Sequence, residues 1–533
     1  MFIRRNVKKI GAKIYQSTLL VEGYRSGGKV RHRTIANITQ WPQQLISAME
    51  YTLKGQKMTS VSALKTKSGK HFGGIFVLHR IAKELFIEQV LGKSRQAKLA
   101  LVLIFGRILT QGSRRHLTFW QEGQAVEEVL KTKTFTTDDL YNTLDWLDAH
   151  QATFEQKLFQ TRYGEKKIKL FLYDITSSYF EGNCNELAEY GYNRDGKQGK
   201  KQIVVGLMTD SEGYPVAVEV FKGNTKDSTT VPDQIIKLAV RFNAEEVIFV
   251  GDRGMIKKSG IAEIAKKEKW RYITAITKPQ IKKILKDNIL QIELFDEELC
   301  EVENDGIRYI VRRNPLRQKE IAANRNGRIK KIHQFQIELN FSLKEKPRKN
   351  AAIALRKLNE KIIQYKLENI LTATVKGRVL RVVVNKENLE ESSRLDGCYV
   401  IKTNISSTDM DIEQVHASYK NLKFVEWAFR SMKTSLLELR PLFHRKANRT
   451  RALAFVAMLA YMIIYSIWNK CKHLEVPLEE IIARIEDIQT TEIKIDEQWI
   501  PKLPSTLRDD QQILLNALGI ILPKTVKSYP QFC

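Results

Sequence analysis

Apolar and polar residues alternate along the first part of the chain and then change their spacing. The alternation, broken by a pair of glycines, predicts two strands that form a small basic hairpin, Ala12–Val21 and Gly28–Ala36. After position 75 the apolar residues recur every three or four positions, which predicts helices over Phe76–Phe86, Gln96–Leu109 and Asp138–Leu147. We therefore expect a β hairpin followed by a mostly helical arm.

A series of strands is predicted after position 167. The pattern gives three strands, a helix, a strand, a helix and a strand, in the order Ile168–Tyr173, Gln202–Thr209, Pro215–Phe221, Val231–Phe242, Glu246–Val250, Ile256–Lys267 and Arg271–Thr277. Consecutive strands can pair as a meander, and strands that alternate with helices favour parallel pairing. The predicted fold class is α/β, a mixed sheet flanked by helices whose element order resembles ribonuclease H-like folds.

The pattern becomes irregular between Lys278 and Leu395, which predicts a mixed α+β insertion with strands over Leu371–Val375 and Val379–Val384. A strand over Cys398–Thr403 follows, and Asp409 is expected to cap a short helix. These features predict six segments: a basic hairpin (1–60), a helical arm (61–165), a core in two parts (166–278 and 397–475) separated by the insertion (279–396), and a tail (476–533).

The formal net charge is +28, from 88 Lys and Arg against 60 Asp and Glu. Cationic side chains neutralise phosphates and release condensed counterions, so nucleic acid is the expected partner, although a basic soluble surface satisfies the charge as well. The insertion is rich in Arg and Lys and poor in aromatic residues, which favours a clamp along a duplex backbone over stacking on unpaired bases.

Other classes of protein are not supported by the sequence. The five cysteines contain no close pair, which argues against a disulfide scaffold and a zinc finger, and no Gly-rich nucleotide loop is present. The basic start leads into no signal-peptide core. Ala452–Trp468 carries no charge and approaches the length of a membrane span, but its shortness and its polar residues favour a buried helix, with membrane insertion as the alternative.

Three acids lie where a metal-dependent nuclease would need them. Asp174 follows the apolar run Ile168–Tyr173, and Asp252 follows Glu246–Gly251, so both are expected at the edge of one sheet. Glu426 lies in the predicted helical stretch from Tyr419 to Lys433, where Tyr419, Arg430 and Lys433 share its face. Carboxylates that converge from separate segments can hold a divalent ion for attack on a phosphodiester. A turn or cap role for an isolated Asp, and a surface salt bridge for Glu426, remain the alternatives.

The chain resembles the bacterial insertion-sequence transposases of the DDE type, in the IS-four-like group. The family signature around its glutamate is Tyr, Arg, Glu and Lys at fixed spacing, and Tyr419, Glu426 and Lys433 fit it, whereas Leu422 stands in the Arg position. Further family-like stretches run over residues 172–177, 223–227, 250–254 and 401–404, so the resemblance spans most of the chain.

The resemblance implies a transposase that binds transposon ends, cuts DNA and transfers the freed strand to target DNA. It implies that Asp174, Asp252 and Glu426 bind Mg²⁺, with Mn²⁺ as a substitute, because hard oxygen ligands suit these ions. It also implies DNA contacts, which we assign to Tyr419, Lys423, Arg430, Lys433 and Arg253. Partners would be double-stranded DNA and a second copy of the chain in a synaptic homodimer.

The expected location is the bacterial cytoplasm, in association with the nucleoid and not with a membrane. Two other functions stay open at this point. One is a ribonuclease H-like nuclease that cuts DNA without joining it, and the other is a DNA-binding repressor that has lost catalysis.

Overall fold

The computed structural model describes residues 1–526 except 11–12, 57–64, 165–167, 183, 254, 435–436, 438, 441, 496–497, 505 and 525. The predicted strand start at Ala12, the family-like Gly254 and the last seven residues of the predicted tail lie outside the described residues. The chain forms two compact units. The smaller one contains residues 1–70, 489–506 and the segment from 522 onward, and the larger one contains 71–488 and 507–521.

The smaller unit begins with three antiparallel strands instead of the predicted two. Its first elements are β1 (Phe2–Ile10), β2 (Lys13–Ser26), β3 (Lys29–Asn37), α1 (Gln43–Leu53) and β4 (Thr66–His71). The turn between β2 and β3 uses Gly27 and Gly28, both with positive φ (58° and 74°), which glycine adopts without steric cost. The sequence pattern missed β1 because four of its nine residues are charged and the strand is largely exposed.

The predicted helical arm is confirmed as helical and contains more helices than expected. They are α2 (Gly73–Glu84), α3 (Ile87–Leu91), α4 (Arg95–Leu109), α5 (Arg114–Trp120), α6 (Val126–Leu130) and α7 (Thr137–Tyr163). Thr136 caps α7 through a reciprocal capping box with Asp139. The helix continues well beyond the predicted end at Leu147, because Phe154 and Leu158 extend its buried face.

The predicted order of strands and helices in the core is confirmed. The elements are β5 (Leu170–Tyr179), β6 (Gln202–Asp210), β7 (Pro215–Lys222), α8 (Asp227–Val240), β8 (Val247–Gly251), α9 (Lys258–Ala265), β9 (Trp270–Ala275) and α10 (Lys278–Lys286). β5, β6 and β7 pair antiparallel, whereas β5, β8 and β9 pair parallel. The mixed sheet flanked by helices is therefore the predicted fold class.

The segment predicted as a separate insertion contributes to this sheet. It contains β10 (Cys300–Asn304), β11 (Ile307–Arg313), α11 (Pro315–Glu345), α12 (Ala351–Gln364), β12 (Leu371–Lys376), β13 (Val379–Val384) and α13 (Lys386–Arg394), and β14 (Cys398–Thr403) follows. The complete sheet has eight strands in the order β10-β11-β14-β9-β8-β5-β6-β7. Residues 315–396, here called the inserted module, lie outside the sheet, and α11, α12, β12 and β13 share an apolar core of their own.

The remaining elements are α14 (Ile412–Lys420), α15 (Leu422–Lys433), α16 (Ala447–Cys471), α17 (Leu478–Glu486), β15 (Gln489–Ile495), β16 (Gln498–Lys502) and α18 (Asp509–Leu518). β15 pairs with β16 and β4 in the smaller unit. Asp411, and not the predicted Asp409, caps α14. Of the helices in the described part of the chain, α16 has the length and composition of a membrane span. Its apolar stretch of 18 residues is 89% buried inside the fold.

Candidate active site

The register of the central sheet places two of the predicted acids side by side. In the parallel pair β5 and β8, Tyr173 lies opposite Gly251, and the next residues along the two chains are Asp174 and Asp252. Asp174 is inside β5 and not at its end as predicted, because residues 175–179 continue the antiparallel pairing with β6. The two aspartates are therefore neighbours at the point where β8 ends and β5 continues.

The third acid comes from α15, which packs against β5. Glu426 lies on the exposed side of this helix, whereas Val425 and Met432 on its other side are fully buried. Asp174, Asp252 and Glu426 line one cavity of about 310 Å³. The sequence pattern thus identified three acids that the fold brings to a common space.

Electrostatic coupling within this cavity is strongest at Asp174. The pKa of its carboxyl group is raised to about 7. Burial is the largest cause and the nearby carboxylates of Asp252 and Glu426 add to it, whereas the Ile175 backbone N–H and Arg194 act in the opposite direction. Asp174 is partly buried, whereas the side chains of Asp252 and Glu426 are exposed. Negative charge is therefore concentrated where a cation would relieve it.

Asp252 is held by two hydrogen bonds to a single carboxylate oxygen. The Tyr419 hydroxyl donates to Oδ1 at 2.9 Å, and the backbone N–H of Arg253 donates to the same atom at 2.6 Å. Burial, followed by the charge of Asp252, raises the pKa of Tyr419, so this phenol stays protonated and keeps donating. Tyr419 lies on α14, since the chain bends at Asn421, and not on one continuous helix with Glu426 as predicted.

The donor set fits a hard divalent cation, because all three side chains offer carboxylate oxygens. Among the described residues, no group of three His, Cys, Asp or Glu side chains is already close enough to hold an ion. The acids face a shared space without meeting at one point. Asp252 is held by its two hydrogen bonds, whereas the exposed side chain of Glu426 can change rotamer toward Asp174.

The predicted DNA-contacting residues fall into two groups. Lys423 lines the acid cavity, and Arg253 and Arg430 are exposed. Lys433 does not line the cavity: its side chain is only 10% exposed, and its ammonium group is 2.8 Å from the carboxylate of Asp195. Burial lowers the pKa of Lys433, and the charge of Asp195 opposes this.

Asp195 ties α15 to the strand that carries Asp174. Its side chain, 2% exposed, also pairs with Arg440 at 2.6 Å and accepts a hydrogen bond from the backbone N–H of Tyr179 in β5. Lys433 therefore contributes to the position of α15, and through it to the position of Glu426.

Sequence reasoning missed several residues around the cavity, among them Asn314, Tyr399 and Lys420. Asn314 precedes Pro315 and caps α11, a pattern typical of a helix start that the sequence does contain. Arg194 was also missed, and its guanidinium binds both carboxylate oxygens of Asp227 at 2.6 Å. Asp227 is thus an ion-pair partner in the first turn of α8.

Comparison with known proteins identifies the family. Residues 165–463 match a family model described as Transposase DDE domain, and this segment is more than half of the chain. The chain belongs to the DDE transposase family. Residues 3–62 match the IS1634 family transposase N-terminal domain, so the predicted insertion-sequence DDE transposase is confirmed, whereas the narrower IS-four-like group is not.

The family membership makes this DDE transposase a metal-dependent enzyme of phosphoryl transfer on DNA. No curated protein matches the chain. Among solved structures, the chain is similar to a piggyBac transposase determined by cryo-electron microscopy as a synaptic complex with hairpin DNA. The two share 10% sequence identity with a TM-score of 0.34, over 86% of this chain and 83% of the other.

Proposed function

We propose that this transposase binds the terminal inverted repeats of an insertion sequence, nicks one strand at each end and joins the freed 3′-hydroxyl to target DNA. The observation that carries the proposal is the single cavity lined by Asp174, Asp252 and Glu426, which come from β5, from the end of β8 and from α15. A phosphodiester approaching this cavity would meet carboxylates from three separate elements.

In this proposal Asp174, Asp252 and Glu426 hold Mg²⁺, for which Mn²⁺ can substitute. Bound divalent ions would supply Lewis-acid activation of the attacking oxygen and stabilisation of the leaving oxygen. The pKa of about 7 for the Asp174 carboxyl makes its proton easily displaced near neutral pH. Asp174 therefore changes from a protonated to an ionised ligand at small cost.

The other residues orient the acids or the DNA. Tyr419 fixes the Oδ1 atom of Asp252 by its hydrogen bond, so Oδ2 is left to face the cavity. Lys423 lines the cavity and Arg253 and Arg430 are exposed, and these three residues are proposed to contact DNA phosphates as cationic donors. We assign Lys433 to the support of α15 instead of a direct DNA contact, because Asp195 already neutralises it.

Larger surfaces would hold the ends in place. The basic strands of the smaller unit, the helical arm and the inserted module are proposed to track the inverted repeat through its phosphates. Two copies of the chain are proposed to pair two ends in a synaptic homodimer, and the enzyme would work in the bacterial cytoplasm at the nucleoid. Substrate for both steps is double-stranded DNA.

The test uses the full chain with labelled duplexes that carry the inverted repeats flanking its gene. With Mg²⁺ we expect nicked ends and, with target DNA present, joined products, and EDTA should abolish both. Asp174→Asn, Asp252→Asn and Glu426→Gln should each lose both products and still bind the duplex. Glu413→Gln, a neutralised exposed acid on the neighbouring α14, is the matched control that should keep activity.

Two results would contradict parts of the proposal. Nicking without any joined product would show that the enzyme is a nuclease that does not transfer strands. Activity that persists in the three acid variants, while metal remains required, would place the catalytic site elsewhere.

A further inference from the structure

A second cavity, of about 570 Å³, lies outside the acid cavity and is formed by α4, α5, α7 and the segment leading into α16. Its volume is within the range of about 300–1,000 Å³ typical of ligand sites. Six cationic side chains line it, and the lining residues that the structure describes include no Asp or Glu: Arg107, Arg114, Arg440, Arg445, Lys446 and Arg449. We call it the cationic cavity.

Arg114 is the unusual member of this set. It is only 8% exposed, and burial lowers the pKa of its guanidinium group. Within the described ranges it has neither an acidic partner nor a hydrogen-bond acceptor. By contrast, Arg449 forms a two-point ion pair with Asp145 at 2.9 and 2.8 Å and stacks on Tyr141. A buried unpaired cation is costly to the fold, and an anion in the cavity would remove that cost.

His444 provides a second unsatisfied group in the same cavity. The pKa of its imidazole is lowered to about 3, mainly by burial and also by the cationic groups of Arg114, Arg107 and Arg449, so the ring is neutral. Its Nδ1 atom is buried and lacks a hydrogen-bond partner among the described residues. The backbone carbonyl of His444 accepts a hydrogen bond from Asn185 at 2.6 Å, which fixes this segment. A neutral ring can donate from Nδ1 to a phosphate oxygen.

We infer that the cationic cavity binds a phosphate group of a DNA strand, with Arg114 and His444 as its inner donors and Arg445 and Lys446 at its exposed entrance. This inference rests on the proposed function for its ligand class. Phe443, 66% exposed at the same cavity, offers a ring against which the attached base can stack.

The cationic cavity is connected to the acid cavity through one ion-pair centre. Arg440 lines the cationic cavity and pairs with Asp195, which in turn contacts Lys433 of α15 and the backbone of Tyr179 in β5. A phosphate bound near Arg440 would therefore be linked, through Arg440 and Asp195, to α15 and β5, the elements that carry Glu426 and Asp174. This is a suitable position for the strand next to the cut.

The first experiment measures the melting temperature of the full chain in EDTA while inorganic phosphate is titrated at constant ionic strength, with chloride as the reference anion. We expect phosphate to stabilise the wild-type chain. Arg114→Gln should melt no lower than wild type without phosphate, because an unpaired charge is removed, and should lose most of the phosphate effect. Arg115→Gln, the exposed next residue of α5 that does not line the cavity, should retain it.

The second experiment measures affinity for end-bearing duplex as a function of salt. If Arg114 contacts a DNA phosphate, Arg114→Gln should weaken binding and lower the slope of log affinity against log salt by about 0.9. Duplexes with and without a 5′-phosphate identify the source: a loss confined to phosphorylated ends indicates a terminal phosphate, and an equal loss indicates an internal one. Arg445→Gln provides a second, exposed variant if Arg114→Gln does not fold.

Failure of this inference can be separated from failure of the proposed function. Normal Mg²⁺-dependent cutting together with unchanged phosphate stabilisation and unchanged DNA affinity in Arg114→Gln would overturn the phosphate site alone. Phosphate stabilisation that depends on Arg114, with unchanged DNA affinity, would overturn the assignment to DNA and leave an adventitious ion only. Absence of cutting in a chain that shows both Arg114-dependent effects would instead contradict the proposed function.

Discussion

Replacement of Asp174 by Asn is expected to make the metal-free protein more stable while it removes catalysis. The folded-state pKa of this carboxyl group is raised from 3.8 to about 7. The folded protein therefore favours the protonated form, and ionisation of Asp174 reduces stability as the pH rises. Asparagine has a similar shape and cannot ionise, so this loss is absent in the variant.

The magnitude follows from the size of the pKa change. At about 1.4 kcal/mol for each pH unit, the penalty for wild type reaches about 4 kcal/mol above pH 7, and solvent at the cavity entrance makes this an upper limit. The stability of wild type is retained in full below the unfolded-state pKa and declines until the pH passes about 7. The advantage of Asp174→Asn should therefore be small near pH 4 and largest near pH 8.

The assay is thermal melting in EDTA at a series of pH values, for wild type, Asp174→Asn and the control Asp409→Asn, whose carboxyl group is exposed outside the acid cavity. We expect the difference in melting temperature between Asp174→Asn and wild type to grow with pH and to reach several degrees. Mg²⁺ should reverse the order near pH 8, because it binds the ionised wild-type site. A difference that does not change with pH would refute the raised pKa of Asp174.

Three further predictions concern the ion-pair centre, the sheet and the metal. Asp195→Asn should destabilise the protein by about 3–5 kcal/mol in denaturant melts, since Lys433 loses its buried partner, and the double variant with Lys433→Met should recover part of the loss. Gly223→Ala should lower the melting temperature strongly, because its Cβ would lie 1.9 Å from a backbone oxygen of β6, whereas Gly327→Ala, in open space on α11, should stabilise by about 0.5–1 kcal/mol. Mg²⁺ at about a hundred times its dissociation constant should stabilise the folded wild type by about 2.7 kcal/mol, and Asp252→Asn should lose most of this in calorimetry.

Helices and strands were predicted most accurately from the sequence where many apolar residues follow the spacing of one element. The runs before Asp174 and Asp252 are buried strands, so their existence and order were readable, and the acids that follow them were recognisable as candidates. Their register was not readable, because the pairing of Tyr173 with Gly251 joins residues far apart in the chain. The spacing of apolar residues within one segment does not show which residues of a distant segment will pair with it.

The errors have local physical causes. The long helix α11 was missed because it buries only Ile332, Leu339 and Leu343 over its whole length and therefore shows little periodicity. The break at Asn421 between α14 and α15 was missed because residues 412–433 contain no Gly or Pro to mark the end of a helix. The cationic cavity was invisible to sequence reasoning, since its residues come from distant segments and each resembles an ordinary surface cation.

The inserted module begins and ends at neighbouring positions of the core sheet. Arg313 of β11 pairs with Cys398 of β14, and the backbone N–H of Asn314 donates to the carbonyl of Gly397 at 2.9 Å. Because the two junctions are adjacent and the module has its own apolar core, a short turn can bridge the gap without moving a strand. A module of another size could therefore replace residues 315–396 while the strands that carry Asp174 and Asp252 keep their positions.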